Sequence, residues 1–410
     1  MFGINEVMFG SIRRLLRVFV PRAVAASGAI GLTLIVPVYY GVEESASFFV
    51  GVALLYLLSI VGRLGLDVVL LKKNSHQFEN KEKIFTAEDV SVFLFVFFSS
   101  VAISVLLHFS CVLGFTFLGE WIFWALPAFS MAGLISSYLR GGGFEVWASL
   151  VEPGAVSMLA AVLVLVGDVF IITNPEVCFI AASWGLFFIN LIFLLRSFRF
   201  AWKGGVDLSF FFSGGYQLVA QLSSYLTQWY PVFIFGAMDS RAVVYYSVAN
   251  RLASVVSFVG VSIDAFAAPR FSSLWHGGKV VELAERRDQF RHMSIWLSLA
   301  VYLCVLPITA IYGWSLKYAT EFYVLAFLLI TCYAVGVSLG PNGYYLIILG
   351  RDRLVSVLTV ICFFIVFMFS TIFYFFDYAW GIALSVGAAV VFRGLFFRIA
   401  ANKYQMIGSG

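Results

Sequence analysis

Apolar residues in this chain come in long unbroken runs, not at the alternating or three-to-four spacing of a half-buried soluble element. Most runs exceed twenty residues, enough to cross a bilayer as a helix. The pattern predicts twelve spans, near residues 15–40, 46–71, 89–113, 116–139, 146–167, 177–197, 208–236, 242–268, 292–313, 321–349, 353–376 and 378–400. Most connections are short. Two stretches, Lys72–Asp89 and Arg270–Arg291, read as longer charged loops, the second carrying a surface helix, GGKVVELAERRDQF, as a solvated linker.

One run organises the rest. From Arg241 to Arg270 the chain is almost continuously apolar, broken by Asn250, Arg251 and Asp264. Arg251 follows Arg241 by ten residues, so a rise of ~1.5 Å per residue puts it about 15 Å into the membrane. A charge at that depth costs roughly 2.5–3.5 kcal/mol, so it should face a bundle interior or a wet cavity.

Composition narrows the class. The chain is 62% hydrophobic and 12% charged, with mean hydropathy +0.97, where a soluble domain carries about 25% charged residues. An all-α polytopic membrane protein is expected. Lys and Arg gather on one side of the predicted spans, at Arg13, Arg14, Arg17, Lys72, Lys73, Arg140, Arg270, Arg286, Arg351 and Arg398 among others. The opposite loops hold Arg241 and Lys317 among acidic residues. This asymmetry predicts cytoplasmic N- and C-termini, and it accounts for the net charge of +4 without a nucleic-acid partner. The apolar stretch Val18–Tyr40 is too long for a cleavable signal and reads as the first span. The five cysteines sit in apolar segments without CxxC spacing, and the four histidines form no ligand-like pair. Neither a metal site nor a cofactor is expected.

A faint repeat runs through the chain. Shifted by 197 residues, Phe48, Phe49, Leu55 and Asp67 fall on Tyr245, Tyr246, Leu252 and Asp264. The second span thus matches the eighth, six spans on. That predicts two six-helix halves, 1–204 and 205–410, related by a parallel repeat around a central cavity. Two basic turns correspond loosely, one after Tyr138-Leu-Arg-Gly-Gly-Gly and one after Tyr345-Leu-Ile-Ile-Leu-Gly-Arg.

Several segments resemble the multidrug/oligosaccharidyl-lipid/polysaccharide (MOP) exporter superfamily. These are Pro37–Gly41 with Phe48 to Gly65-Leu66-Asp67 and Lys72, then Ala242–Leu274 with its Tyr-Ser-Val-Ala-Asn-Arg-Leu core, then Gly340-Pro341 with Leu349-Gly350-Arg351. Within the superfamily the chain looks like the polysaccharide-biosynthesis branch of Wzx-type O-antigen flippases. That resemblance implies transport of an undecaprenyl-diphosphate-linked oligosaccharide from the inner to the outer leaflet of a bacterial cytoplasmic (inner) membrane. It also implies a polysaccharide polymerase and a chain-length regulator as partners beside membrane lipid, and sodium or protons as the coupling ion.

The in-span charges are the candidates for chemistry. Arg251 is expected to attract a diphosphate, which a guanidinium binds through two parallel hydrogen bonds. Its alternative is a structural charge paired to a carboxylate. Asn250, Tyr246, Gln217 and Gln221 suit sugar hydroxyls and ring faces. Arg63 and Asp67, four apart, share a helix face; either they pair, or Arg63 stays free for an anionic headgroup. Asp67, Asp264, Glu152 and Arg22 are candidates for gating or ion coupling, with Arg140 and Arg270 as partners for the aspartates. Arg22 can instead snorkel to the surface. Glu152 can instead serve freed backbone beside Pro153.

No nucleophile–base constellation or phosphate-binding glycine loop is present, so an enzyme is not expected. An ion-coupled multidrug/cation antiporter of the same superfamily is the alternative, and Arg251 argues against a cationic cargo. A membrane-embedded polysaccharide-assembly enzyme comes next, and it would need a larger extramembrane loop.

Overall fold

The computed structural model describes residues 2–79, 84–112, 121–170, 174–201, 214–315, 319–376 and 378–408. Almost all of them are helical, as lipid demands of a backbone that must satisfy its own hydrogen bonds. The described residues form two compact units, Met1–Leu222 and Ser223–Gly410.

In the first unit α1 (Phe2–Arg63) bends at Gly41, whose φ of 76° lies outside the helical region. The hydroxyl of Ser45 donates to the Gly41 carbonyl there. α1 therefore holds the first predicted span and most of the second, with no loop between them. After a break at Leu64–Gly65 comes α2 (Leu66–Glu79). Next are β1 (Ile84–Thr86), α3 (Ala87–Val112), a short 3-10 turn (Ile122–Ala125), α4 (Leu126–Gly141), α5 (Glu145–Leu150), α6 (Pro153–Phe170), α7 (Pro175–Ser197) and β2 (Arg199–Ala201). β1 and β2 pair in parallel, Phe85 opposite Phe200. Lys73 binds Glu88, Asp89 and Thr86 at 2.6, 2.8 and 3.1 Å beside that pair. The stretch Lys72–Asp89, expected as a loop, is thus mostly helix and strand. α8 (Gly215–Met238) contains the boundary between the units.

The second unit continues with α9 (Ser240–His276), α10 (Val280–Ser315), α11 (Thr320–Ser338), α12 (Asn342–Ile348), α13 (Asp352–Phe375) and α14 (Ala379–Gly408). α9 packs against α10 and α11. The second expected loop is also corrected. α9 runs on to His276, and GGKVVELAERRDQF from Val280 is the first part of α10, separated from α9 only by Gly277–Lys279. Nothing between Val280 and Pro307 breaks a helix, so the polar segment and the span form one rod. The fifth and tenth predicted spans are each broken instead, by residues 151–152 and by 339–341.

Nine helices among the described residues are long and apolar enough to cross a membrane. α1 is one of them and holds the first predicted span and most of the second, while α6 and α8 occupy the fifth and seventh. Each of the twelve predicted spans is therefore mainly helical in its described residues. The offset of 197 reappears in the backbone. Gly41, the end of α2 at Glu79, the end of α4 at Gly141 and the start of α5 at Glu145 map onto Met238, His276, Ser338 and Asn342, the matching ends and starts in the second half. Gly143 maps onto Gly340, and both have positive φ, 79° and 92°. Register corrects the sequence pairing of the basic turns: the turn after Arg140 corresponds to Leu339–Gly340, not to the segment after Tyr345. The break at Leu64–Gly65 has no counterpart, because α9 is continuous through the matching positions.

Candidate functional site

The candidate residues fall into two clusters, one in each unit. In the first, the break after α1 shapes the site. Leu64 has φ 50° and Gly65 φ 74°. A Cβ at residue 65 would stand 2.4 Å from the Gly214 carbonyl oxygen, so only glycine allows this approach of backbone to backbone. The reversal leaves Arg63 at the end of one helix and Asp67 in the first turn of the next, where the helix N-terminus favours a carboxylate. Arg63 Nη1 lies 3.3 Å from Asp67 Oδ2, with both side chains about nine-tenths buried. Arg63 Nε donates to the Ser59 carbonyl at 3.1 Å. Gly133 on α4 clears space for the guanidinium, since a Cβ there would come within 2.6 Å of Nη1. Gln221 Nε2 donates to both oxygens of Asp67, at 3.3 and 3.4 Å. Gln217 lies one turn before Gln221, half-buried on the same face of α8.

Of the open readings of Arg63 and Asp67, the paired one is what forms, across a helix break rather than along one helix. Glu152 lies between α5 and α6 and takes Arg140 as its ion-pair partner. Arg140 is thereby engaged away from Asp67. The side chain of Arg22 lies outside the described residues.

In the second unit the site is built on the α8–α9 hairpin, which turns at Asp239. The Asp239 side chain accepts from the Arg241 backbone N–H at 3.1 Å and caps α9. Residues equally far from that turn on the two helices face one another. The Gln228 carbonyl accepts from the Tyr246 hydroxyl at 2.7 Å and from Asn250 Nδ2 at 3.4 Å. Asn250 Oδ1 also accepts from the Tyr333 hydroxyl on α11 at 3.1 Å. Tyr246, Asn250 and Tyr333 are buried, and their polar groups are engaged with one another and with backbone. Tyr333 was not singled out in the sequence; the signal was a tyrosine deep in the apolar run of α11, ten residues after Tyr323 near its start.

Arg251 stands beside this network. Its guanidinium carbon lies 4.6 Å from the centre of the Trp229 ring. Among the described residues no carboxylate pairs with it, and its Nε is buried without a hydrogen-bond partner. Among the described residues, then, the alternative of a carboxylate-paired structural charge does not form. A second in-span cation, Arg393 on α14, donates to the Ser224 hydroxyl at 3.3 Å. Asp264 lies close enough to Arg393 for their charges to interact, without a direct ion pair. Arg270, beyond the apolar part of α9, stacks on Phe266 at 3.5 Å; burial pulls its guanidinium down, and Arg286 adds to the effect. Chemically, away from the span ends, the described residues of the second unit offer the guanidinium groups of Arg251 and Arg393 against the carboxylate of Asp264, with Trp229 stacked on Arg251.

No protein-family model and no curated protein matches the sequence. Solved structures do resemble the fold over nearly the whole chain. One is described as the inward-facing conformation of a multidrug-resistance MATE family transporter of the MOP superfamily, with TM-score 0.65, 13% identity, and 94% of this chain and 95% of that one covered. The Vibrio cholerae MATE transporter VcmN in its bent form gives TM-score 0.63 and 13% identity, covering 97% and 98%. A MOP superfamily transporter from Pyrococcus furiosus, described as having a binding pocket of reversed polarity that suggests a different function, gives 0.59 and 12%, covering 97% and 96%. At such identity the likeness is one of fold. The chain has the MATE-like transporter fold with two repeated halves, and it is a multi-pass membrane protein.

Proposed function

We propose that this chain is a secondary transporter that works by alternating access. The observation that carries the reading is the fold match, over more than nine-tenths of the chain, to MATE transporters. One of those structures is described as a multidrug-resistance transporter, which supports an ion-coupled multidrug antiporter as the first reading of cargo. Asp67 and Asp264 are then the candidate coupling carboxylates, for sodium or protons. Coupling would compete with the hydrogen bonds that Asp67 receives from Arg63 and Gln221.

A second reading is favoured by one feature of this chain: Arg251 on Trp229, without a carboxylate partner among the described residues, and Arg393 as a second in-span cation. A net positive site suits an anionic headgroup better than a cationic drug. The Trp229 ring covers one face of the guanidinium and leaves its N–H edge for a diphosphate. On this reading the cargo is an undecaprenyl-diphosphate-linked oligosaccharide moved to the outer leaflet of a bacterial inner membrane, both termini being cytoplasmic, and a polymerase and a chain-length regulator act on the product. The Pyrococcus protein, with its reversed pocket polarity, supports the idea that this fold carries cargo of more than one charge.

One experiment separates the two. The gene is deleted in its native host, and lipid-linked intermediates, surface polysaccharide and drug tolerance are measured on the same cells. Sensitivity to cationic drugs with normal polysaccharide supports the antiporter. A complete repeat unit accumulating on its lipid carrier, with surface polymer lost, supports the flippase. No change in either overturns both.

A further inference from the structure

At the basic end of the second unit, three helices bring together charges that neither cargo reading uses. Arg287 and Arg291 are four apart on one face of α10, and Arg398 and Asn402 are four apart on α14. Arg287 is only 6% exposed. Its Nη2 donates to Asn402 Oδ1 at 2.8 Å, and its guanidinium carbon lies 5.1 Å from the centre of the Tyr345 ring on α12. Arg291 lies against the turn between α11 and α12, where a Cβ at Gly340 would come within 3.0 Å of its Cβ and Cγ. Arg291 and Arg398 are both within electrostatic range of Arg287.

The cluster is short of negative charge. Among the described residues Asp288 is its ion-pair partner, half-exposed and 3.8 Å from both Arg287 and Arg291. Three guanidinium groups against one carboxylate leave a surplus of two positive charges. Two buried donors, Arg287 Nη1 and the Tyr345 hydroxyl, have no partner among the described residues. Buried donors are normally satisfied, and each exception calls for a ligand or water.

We propose that Arg287, Arg291, Arg398 and Tyr345 form a binding site for the phosphate of an anionic phospholipid. Guanidinium groups and a phenolic hydroxyl match phosphate oxygens in charge and donor geometry. Basic pockets between membrane helices on the cytoplasmic side bind anionic headgroups in this way. The surroundings favour a lipid over free phosphate. One to two turns deeper, Ile295, Trp296 and Leu299 on α10 and Phe392, Leu395 and Phe396 on α14 expose apolar side chains that acyl chains would cover.

The full-length protein, purified and delipidated in detergent, is titrated with phosphatidylglycerol, phosphatidylcholine and inorganic phosphate. Binding is read by native mass spectrometry and by thermal unfolding. Phosphatidylglycerol is expected to bind and raise the unfolding temperature, and Arg291→Gln and Arg398→Gln each to weaken it by about fivefold, with phosphatidylcholine unaffected. Arg287→Gln tests the buried donor directly. Should it fail to fold, the two half-buried arginines carry the test. Equal affinity for the two lipids, or unchanged phosphatidylglycerol affinity in both variants, overturns the site. Inorganic phosphate protecting as well as the lipid overturns the lipid assignment.

Discussion

The guanidinium carbon of Arg251 lies 4.6 Å above the ring of Trp229, a residue on the opposite arm of the α8–α9 hairpin. A cation over an aromatic face gains roughly 2 kcal/mol when desolvated, which offsets much of the 2.5–3.5 kcal/mol that a mid-membrane arginine costs. The indole thus keeps the charge tolerable without neutralising it, as a carboxylate would.

Arg251→Ala is therefore expected to abolish transport while the protein still inserts and folds. Arg251→Lys, which keeps the charge but loses the planar fork, should retain only part of it. Trp229→Leu should lower transport and shift the unfolding midpoint down. The checks are the drug-tolerance and polysaccharide assays on complemented deletion cells, with expression and thermal unfolding as controls. Wild-type transport in Arg251→Ala would sink a functional role for this arginine.

The Arg63–Asp67 pair calls for a double-mutant cycle. Removing one partner of a buried pair leaves an uncompensated charge, so Arg63→Gln alone should destabilise by about 3 kcal/mol. Arg63→Gln with Asp67→Asn should lose less than the two single changes summed, because neither half is then stranded. Gln221→Ala should add a smaller loss of about 1 kcal/mol. Thermal or denaturant unfolding in one detergent reads all four. Additive effects would show that the pair is not coupled.

Two glycines in the second unit separate strain from clash. Gly340 and Gly350 both have positive φ, 92° and 71°. A Cβ at Gly350 meets nothing within 4 Å, whereas one at Gly340 comes within 3.0 Å of Arg291. Gly350→Ala should cost about 1 kcal/mol, the penalty of a left-handed conformation, and Gly340→Ala distinctly more. Unfolding midpoints that fall equally would mean that Arg291 moves aside freely.

Tyr333→Phe deletes the hydroxyl that donates to Asn250 Oδ1. With the acceptor left buried, a loss of about 1–3 kcal/mol is expected, and transport should fall by less than in Arg251→Ala. Unchanged unfolding together with wild-type transport would mean that the Asn250–Tyr333 link holds nothing in place.

How much of this was legible in the chain depended on what hydropathy measures. Apolar runs report contact with lipid, so they pointed to the nine span-length helices among the described residues, to the further apolar helices between them, and to the repeat at 197. They do not report backbone continuity. Polar VVELAERRDQF reads as a separate surface helix in a linker because its charges interrupt the apolar pattern; it is helical, but nothing in it ends a helix, and α10 runs straight through. Conversely, the break at Leu64–Gly65 sits inside an apolar run and left no trace in polarity. Spacing made Arg63–Asp67 legible, but Gln221 reaches Asp67 from 154 residues away, and no local pattern announces that. The link between Gln228 and Asn250 could have been found by folding the hairpin at Asp239, since both lie eleven residues from it. Tyr246 and Asn250, expected to meet cargo, have their polar groups engaged in that hairpin.

The constant offset of 197 has a consequence for ancestry and for engineering. It is the mark a tandem duplication leaves when neither copy has since gained or lost a residue. From Gly41 to the start of α5 the two halves have kept the same length through four helix boundaries, while beyond it the offset drifts, α6 beginning at Pro153 and α13 at Asp352, 199 residues later. A chimera that replaces residues 238–276 with 41–79 would keep every downstream residue in place, and it would carry into the second copy the one backbone break that the first copy has alone.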